Sequence, residues 1–347
     1  MANEPDRRLE PQGRTAVVGG AGFIGSRLVR SLAALGPVTV VDLRRPADPA
    51  VPHAIADVRD VDGLVDAIGG SAETIVNLAA VHRDDVRPRS LYNEVNVGGA
   101  RACCEAARRV GARTIMFTSS VAVYGFSDRE IFEDAPIAPF NDYGRTKAEA
   151  EDVYRAWQAE DPHGRRLVVV RPTVVFGEGN RGNVYALMRQ IASLWFVMVG
   201  DGSNRKSIAY VENLVAFLVW TRTLGPGLHV FNYVDKPDLD MNQLVATIRR
   251  SMGERNDHLR VPYALALPLG AVADLAARIL RRPLPISTIR LRKFVSSSVY
   301  GNGGARTGFD PPVGLEEALT RMLRHEFPDR CRSVQPSTSL EQDPGSA

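Results

Sequence analysis

The chain has 347 residues, 44% of them hydrophobic and 24% charged, with a formal net charge of +3. This composition indicates a globular protein with a sizeable core, and so small a charge gives no reason to expect nucleic-acid binding. An uninterrupted apolar run of about eighteen residues, the length a spanning helix needs, does not occur. The polar start excludes a secretory signal, and three cysteines without metal-ligand spacing indicate a reduced, cytoplasmic protein without a metal site.

Strand and helix patterns alternate through the first half of the chain. The strand candidates are 15–18, 38–41, 53–56, 74–78, 114–117 and 167–170, and the main helical patterns are 90–110 and 143–160. Such alternation predicts a parallel sheet covered by helices on both faces. We expect an α/β fold: a Rossmann-type doubly wound parallel sheet over 14–175 and a smaller, interleaved α/β substrate-binding C-terminal domain over 176–330. The tails 1–13 and 333–347 are predicted to be disordered.

A glycine-rich stretch lies where the first strand meets the first helix, which is predicted to begin near Gly22. Gly19 permits a tight turn, Gly22 lets the backbone approach a pyrophosphate, and Gly25 lets helix and strand pack closely. The helix N-terminus also offers backbone N–H groups and a positive dipole end to phosphates. This spacing is a variant of the dinucleotide-binding fingerprint, although glycine-rich turns alone are common.

Asp42 ends the second strand, 17 residues after Gly25. A carboxylate at this place would bind the ribose hydroxyls of adenosine, which favours NAD over NADP because a 2′-phosphate would be repelled. Arg44 and Arg45 follow directly and weaken that preference. The alternative is that Asp42 is only a turn residue at the end of a strand.

Two further strand ends carry residues that suit a nucleotide. Asp57 and Val58 end the third strand and are placed to reach the adenine edge, and the small residues of 77–80 end the fourth. Open α/β sheets bind ligands at the carboxyl ends of their strands. These strand ends follow one another along a single predicted sheet, which supports the interpretation of a nucleotide site. Each strand end taken alone is ordinary.

Tyr143 and Lys147 lie one turn apart on a predicted helix and therefore share a face. A cation near a phenol lowers the pKa of the phenol, so Tyr143 could act as a general base. The pattern is common as a solvated pair, but here it follows the fifth strand, which ends in Ser119 and Ser120. One serine could share a substrate proton with the tyrosine, and the other could only cap the chain.

In this order the motifs resemble those of the extended short-chain dehydrogenases/reductases of the NAD-dependent sugar epimerase/dehydratase family, over about residues 14–325. The resemblance implies that Tyr143 is the catalytic base, that Lys147 binds the nicotinamide ribose and tunes Tyr143, and that Ser120 assists at the sugar hydroxyl. The NAD-binding residues that it implies are Gly19, Gly22, Phe23, Ile24, Gly25, Asp42, Asp57, Val58, Leu78, Ala79, Ala80, Asn96, Tyr143, Lys147 and Thr173.

The resemblance also limits the reaction. Dehydratases of the family usually carry Thr-Asp-Glu at the tip of the fifth strand, whereas this chain has Ser119-Ser120-Val121. The resemblance therefore implies 4-epimerisation through a transient 4-keto sugar, with NAD retained. Family members often pair through two helices that correspond to Ser90–Val110 and Tyr143–Glu160, so a homodimer is expected.

The second half of the sequence indicates which group carries the sugar of the substrate. Residues 171–185 are predicted to be a polar loop whose amide and guanidinium groups suit a sugar diphosphate; the alternative is a surface loop that caps a helix at Asn180 or Asn183. Lys206 and Asn213 stand where the family has arginine and aspartate. A lysine cannot form the forked contact of an arginine with phosphate.

The stretches 80–86, 180–185 and 206–213 are similar to a subgroup of epimerases that interconvert GlcNAc and GalNAc on undecaprenyl diphosphate for surface polysaccharide synthesis. The substrate-binding residues that the similarity implies are His82, Arg83, Asn183, Lys206 and Arg292. The alternatives are a soluble UDP-sugar 4-epimerase, whose diphosphate Arg290 or Arg292 would hold, a dehydrogenase with net NADH release, and a non-catalytic NAD-binding protein.

An apolar segment from Pro262 to Leu280 is followed by arginines, including Arg281 and Arg282. Apolar residues with a basic flank are typical of a helix that lies on an anionic membrane surface. Pro268 and Gly270 are predicted to interrupt the segment. A core helix or a dimer surface is the alternative, and the predicted location is cytoplasmic, with peripheral contact to the inner membrane face.

Overall fold

The computed structural model of the protein describes residues 13–331 except 84, 126, 128, 194–195, 256–258 and 281–287. The predicted disordered tails, apart from Gly13, lie outside this range. The strands are β1 (Thr15–Val18), β2 (Val38–Asp42), β3 (His53–Ile55), β4 (Thr74–Asn77), β5 (Thr114–Thr118), β6 (Arg166–Pro172), β7 (Val174–Phe176), β8 (Val197–Val199), β9 (Arg205–Tyr210), β10 (Gly227–Tyr233), β11 (Asp235–Asp240) and β12 (Leu259–Val261).

The α-helices of the described residues alternate with these strands. They are α1 (Phe23–Ala33), α2 (Val61–Ile68), α3 (Ser90–Tyr92), α4 (Gly99–Val110), α5 (Asp142–Ala159), α6 (Asn183–Ile191), α7 (Val211–Trp220), α8 (Met241–Ser251), α9 (Tyr263–Leu280), α10 (Thr288–Val295), α11 (Leu315–Glu326) and α12 (Pro328–Cys331). Short 3-10 turns cover Val121–Val123, Thr221–Thr223 and Gly304–Thr307.

The main sheet has seven strands in the order β10-β6-β5-β4-β1-β2-β3, and all of its pairings are parallel. The predicted Rossmann-type sheet is confirmed. Strand order reverses between β1 and β4, because the chain moves outward through β2 and β3 and then returns to the other side of β1. Open α/β sheets bind ligands at this kind of reversal, beyond the carboxyl ends of the strands.

The chain divides into two compact units. The first consists of 13–176, 205–238 and 296–315, and the second of 177–204, 239–295 and 316–331. The first unit holds the seven-stranded sheet and a second sheet in the order β11-β9-β7. The second unit holds the pair β8–β12 with the helices around it.

The helical pattern over 90–110 is one continuous helix with a wider π-helical part at Asn93–Gly98 between α3 and α4. A π-helical turn rotates the residues that follow it and often occurs at functional sites. The π-helical part of this helix contains Asn96, which is only 3% exposed although its side chain is a polar amide.

Helix α5 is held against the sheet by a buried aromatic pair. The rings of Phe117 on β5 and Tyr154 on α5 lie 4.7 Å apart. The Tyr154 hydroxyl also accepts a hydrogen bond of 2.7 Å from the side chain of Asn77 at the end of β4. Because an aromatic pair and a buried hydrogen bond fix the helix relative to two strand ends, its first turns have a defined position beside β5.

In the second unit, α9 runs without interruption from Tyr263 to Leu280. The predicted break at Pro268 is wrong: proline removes one N–H donor and kinks a helix, but the helical path can continue through it. Gly270 lies against α10, since a Cβ there would meet Leu291 Cδ1 at 2.8 Å and Thr288 N at 3.2 Å. Arg281 and Arg282 lie outside the described residues.

Candidate active site

The glycine stretch forms a tight turn between β1 and α1. Gly19 has a φ of +80°, and a Cβ there would meet the backbone N of Ala79 at 2.6 Å. At Gly25 a Cβ would meet Gly19 O at 2.4 Å. At Gly22, which precedes α1, the nearest described atom to a Cβ is Gly19 O at 3.2 Å. The backbone around the turn therefore leaves no room for a side chain at Gly19 or Gly25. The space beside Gly22, in contrast, can admit a ligand.

Asp42 lies at the end of β2, next to this turn. Its carboxylate accepts hydrogen bonds of 3.0 Å from the backbone N–H groups of Ala21 and Arg44. Each carboxylate oxygen has a second lone pair, so Asp42 can orient the glycine turn and still accept a ribose hydroxyl.

The next two strand ends hold the other residues assigned to a nucleotide. Asp57 forms a forked ion pair with Arg59, at 2.7 and 3.0 Å, and this hydrogen bonding lowers the pKa of Asp57. Val58 is buried. Leu78, Ala79 and Ala80 follow β4, where Leu78 N–H donates to Val18 O. Of these residues, only Ala79 and Ala80 have small side chains.

Asn96 joins the loop after β4 to helix α5. Its Oδ1 accepts from Val81 N–H at 2.9 Å, and its Nδ2 donates to Val81 O at 3.1 Å and to Thr146 Oγ1 at 2.9 Å. The Asn96 amide thus binds the backbone N–H and C=O of Val81 and the hydroxyl of Thr146, the residue directly before Lys147. This arrangement positions the start of α5 relative to the strand ends.

Tyr143 lies in the first turn of α5 and is half-buried. Desolvation by the surrounding protein raises the pKa of its phenol above the usual value, and a hydrogen bond with Ser120 lowers it in part. From the sequence, Lys147 was expected to lower the pKa of the Tyr143 phenol. This prediction is wrong for the protein's own groups, because burial has the largest effect on that pKa and raises it. The Tyr143 and Ser120 hydroxyls together can exchange a proton with a substrate hydroxyl.

Lys147 is buried one turn later on the same face. Its ammonium donates to Thr118 O at 2.8 Å and lies 4.5 Å from the centre of the Phe117 ring. Burial lowers the pKa of Lys147 to about 7, and the negative charge of Glu151 opposes that shift. Lys147 therefore can change its protonation state near neutral pH.

The two serines at the tip of β5 have different partners. Ser120 bonds to Tyr143, whereas Ser119 is 2% exposed and donates to Glu151 Oε1 at 2.6 Å. Glu151 also accepts from Arg171, at 2.9 Å from Nε and 2.6 Å from Nη2. The capping role that was the alternative for one serine belongs to Ser120, which also accepts a hydrogen bond of 3.2 Å from Ala122 N–H at the start of the turn after β5.

Arg171 was predicted to begin a polar ligand-binding loop, and this loop prediction is wrong for residues 171–176. Strand β6 extends to Pro172 and β7 follows at Val174–Phe176. The Arg171 side chain is 3% exposed and paired with Glu151. A guanidinium in a buried strand needs a carboxylate partner to offset its desolvation, and Glu151 is that partner.

Thr173 and Gly22 provide a test of whether these residues fit a dinucleotide. The hydroxyl of Thr173 is buried and has no hydrogen-bond partner among the described residues. A buried hydroxyl without a partner is costly, so a ligand that supplies one is expected. Together with the space beside Gly22 and the lone pairs of Asp42, these residues can hold NAD.

The predicted substrate residues of the first unit are Lys206, His82 and Arg83. Arg83 forms an exposed forked ion pair with Asp85 at 2.8 and 3.0 Å, and His82 is exposed in the same loop. Lys206 donates to Ser296 O, and burial lowers its pKa to about 8. Both cations therefore already have partners in the protein.

Asn183 and Arg292 belong to the second unit, and both are exposed. Asn183 is the first residue of α6, after the N-cap Gly182. Arg292 lies on α10. Asn180 accepts a hydrogen bond of 3.0 Å from Gly182 N–H, so it stabilises the turn before α6 without being its cap.

Sequence reasoning missed Glu151 and the role of Arg171. Glu151 follows Lys147 by one helical turn, so the spacing that paired Tyr143 with Lys147 would also have placed a carboxylate on that face. Arg171 directly follows four apolar residues of β6, and a charge in such a strand indicates a buried partner. Those two signals together would have suggested the ion pair.

Comparison with known proteins agrees with this arrangement. The profile of the "NAD dependent epimerase/dehydratase family" matches residues 15–232. The chain is 42% identical over 315 residues to the N-acetyl-alpha-D-glucosaminyl-diphospho-ditrans,octacis-undecaprenol 4-epimerase of Escherichia coli O157:H7, which covers 90% of this chain and 94% of that protein. It is 26% identical over 280 residues to the UDP-glucose 4-epimerase of Vibrio cholerae, covering 76% and 84%.

A solved structure shows the same fold. The Thermus thermophilus UDP-glucose 4-epimerase in complex with NAD superposes with a TM-score of 0.68 at 22% identity, covering 90% of this chain and 98% of that one. The profile match extends over more than half of the chain and includes the glycine turn, Tyr143 and Lys147. The chain belongs to the NAD-dependent epimerase/dehydratase family.

Proposed function

We propose that the chain is a 4-epimerase of N-acetylhexosamine that is linked through diphosphate to undecaprenol, and that it interconverts GlcNAc and GalNAc on this carrier. The 42% identity with the E. coli epimerase of that name, over nearly the whole of both chains, carries the proposal. The pair of hydroxyls at Ser120 and Tyr143 supports it chemically, since epimerisation needs a reversible proton transfer at one sugar hydroxyl.

Bound NAD supplies a hydride acceptor and donor for this chemistry. Lys147 and the bound cofactor would supply positive charge that offsets the effect of burial on the pKa of Tyr143 and favours its phenolate. The phenolate would then accept the proton of the C4 hydroxyl while the C4 hydrogen leaves with its electron pair to the cofactor, which leaves a 4-keto sugar. Ser120 hydrogen-bonds to the same oxygen and keeps it beside the phenol. After the sugar has turned, the hydrogen and its electron pair return to the other face of C4 and Tyr143 returns the proton. Lys147, one turn from Tyr143 on the same face of α5, would hold the cofactor ribose.

The substrate-binding residues that we propose are His82, Arg83, Asn183, Lys206 and Arg292. Arg83 and Arg292 are exposed cations, and the ion pair of Arg83 with Asp85 is solvent-screened and easily exchanged for a phosphate. Lys206 adds a partly buried ammonium. The charge of a diphosphate is spread over several oxygens, so each of these cations is suited to contact it.

The substrate is tested by offering the purified protein GlcNAc-diphospho-undecaprenol and UDP-GlcNAc separately. We expect GalNAc from the lipid-linked sugar, measured by releasing the hexosamines and separating the epimers chromatographically. Conversion of UDP-GlcNAc alone would support the second candidate, a soluble UDP-sugar 4-epimerase, which the similarity to the Vibrio cholerae enzyme favours. Steady formation of NADH would instead indicate a dehydrogenase.

We propose that helix α9 contacts the membrane that holds the lipid-linked substrate. Leu265, Leu269 and Val272 are each about two-thirds exposed, at 64%, 65% and 66%. Their spacing places them on one face of the helix, opposite the side where Gly270 meets α10. No helix within the described ranges is both long and apolar enough to cross a membrane. An exposed apolar face of this kind is suited to lie in the headgroup region of a membrane.

The double variant Leu265→Ser/Leu269→Ser is expected to bind anionic vesicles about tenfold or more weakly, since burying a leucine contributes about 1.5–3 kcal/mol. Sedimentation with vesicles of phosphatidylglycerol and phosphatidylcholine measures the change. Leu228→Ser is the matched control, because Leu228 is also exposed, at 43%, but lies on β10. Equal binding by the double variant and the parent protein would rule out this surface.

We also propose that the protein is a cytoplasmic homodimer that pairs through α4 and α5. Within one chain these helices already pack side by side, with Cys104 Sγ 3.9 Å from Val153 O. Their remaining surfaces carry charged residues such as Arg101 and Glu149, which can form complementary pairs between two copies.

A further inference from the structure

Three consecutive residues at the tip of β5 each bind one residue on a single face of α5. The pairs are Thr118 with Lys147, Ser119 with Glu151 and Ser120 with Tyr143. The outer two pairs contain Lys147, Ser120 and Tyr143, to which the proposed chemistry assigns roles. The middle pair lies between them in sequence, so any movement of Ser119 displaces both of its neighbours.

Glu151 is itself held rigidly. Its carboxylate and the Arg171 guanidinium form a forked pair in which each side chain is 3% exposed. Arg171 Nη1 also donates to Tyr124 Oη at 2.5 Å and to Glu133 O at 3.3 Å, and the Tyr124 hydroxyl donates to Asn232 at 2.7 Å. A buried carboxylate with this many donors has little freedom to move.

Glu151 also acts on Lys147 electrostatically. The charged and titratable groups that face Lys147, directly or through Glu151, are Tyr143, Glu151 and Arg155 on α5, Arg171 on β6 and Tyr124 after β5. Arg155 Nη2 lies 3.5 Å from Glu151 Oε2. Strand β5 presents only the Phe117 ring and the Thr118 carbonyl to the ammonium. A buried ammonium loses its proton readily unless a negative charge lies nearby, and Glu151 is the anion in this set.

We propose that Glu151 is a positioning residue with two effects: it fixes the β5 tip through Ser119, and its negative charge keeps Lys147 protonated. The kinetic part of this proposal rests on the epimerase function proposed above. The electrostatic part concerns only the protein's own groups and can be measured without any substrate.

Two substitutions separate the two effects. Glu151→Gln removes the charge but keeps a side-chain oxygen that can accept from Ser119. Ser119→Ala removes the tether but keeps the charge. The double variant Glu151→Gln/Arg171→Gln leaves neither charge stranded, so it replaces the single variant if the latter does not fold. Because the double variant removes a cation as well as an anion, we expect it to lower the Lys147 midpoint less than Glu151→Gln does.

The Lys147 titration can be followed by NMR of ¹³Cε-lysine in the holoenzyme. The chain contains four lysines, Lys147, Lys206, Lys236 and Lys293, and the signal lost in Lys147→Arg assigns the first. Glu151→Gln is expected to lower the Lys147 midpoint by about one pH unit or more, whereas Ser119→Ala leaves it in place. An unchanged midpoint in both Glu151 variants would overturn the electrostatic effect.

The pH dependence of kcat measures the consequence. Lys147 loses its charge as the pH rises, so a lower midpoint moves the alkaline fall of kcat to lower pH in Glu151→Gln. In Ser119→Ala we expect a lower kcat at every pH without such a shift. A merely structural role would lower kcat in both variants with an unmoved profile, and normal kcat in Ser119→Ala would overturn the tether. If no sugar is turned over, the proposed function fails, and the NMR titration still decides the electrostatic effect.

Discussion

Tyr143→Phe is expected to lower the epimerisation rate by about 10²–10⁴-fold, the usual contribution of a general acid–base group. The substitution removes only the hydroxyl that bonds to Ser120 and leaves the ring in the first turn of α5. The glycine turn and Asp42 are untouched, so NAD should remain bound. The rate is measured as the appearance of the epimeric sugar, and NAD is quantified after gel filtration.

Tyr154→Phe is the matched control, because it removes a buried tyrosine hydroxyl from the same helix. That hydroxyl binds Asn77 at 2.7 Å and has no part in the proposed chemistry. We expect a loss of about 1–3 kcal/mol in the free energy of unfolding, from the unsatisfied amide, with most of the activity retained. Full activity in Tyr143→Phe would show that another group takes the substrate proton.

Gly22→Val is expected to abolish the retention of NAD without unfolding the protein. Gly22 has φ −77° and ψ −179°, which any residue adopts, and the nearest described atom to a Cβ is Gly19 O at 3.2 Å. The valine would instead occupy the space that the pyrophosphate needs. Each hydrogen bond to a charged group contributes about 1.5–3 kcal/mol, so each one that the valine prevents weakens binding by about tenfold or more.

Gly25→Ala separates loss of the cofactor from loss of the fold. Its Cβ would meet Gly19 O at 2.4 Å and Gly20 Cα at 2.7 Å, so the backbone itself must move. We expect a lower Tm for this variant even in excess NAD, whereas the Tm of apo Gly22→Val should match that of the apo parent. NAD that co-purifies undiminished with Gly22→Val would refute the pyrophosphate assignment.

The main-sheet strands were predictable because each is a short apolar run between turn residues. Thr15–Val18 agrees with its predicted bounds, and β2 to β5 differ from theirs by one residue at one end. Strand β6 is longer than predicted, by one residue at its start and two at its end. The seventh strand, Gly227–Tyr233, was not predicted. It lies far along the chain from its partner β6, and its polar His229 and Asn232 break the apolar run that marks the other strands.

The active-site residues were only partly predictable. Tyr143, Lys147 and Ser120 follow known local spacing, and the structure brings Ser120 to Tyr143. The assignment of roles to them remains a proposal. The partner of Arg171 could not be chosen from spacing alone, because Glu151 and Arg171 lie on different elements and meet only when α5 packs on the sheet.

The sequence by itself determined six strands of the main sheet, the glycine turn and the Tyr143–Lys147 face of α5, because each depends on a pattern within a few neighbouring residues. Only the tertiary structure decided that Ser119 turns inward to Glu151 and that burial dominates the pKa of Tyr143. It also decided that α9 leaves Leu265 and Leu269 exposed. Burial, charge pairing and exposure depend on which elements pack together, and local periodicity contains no information about that packing.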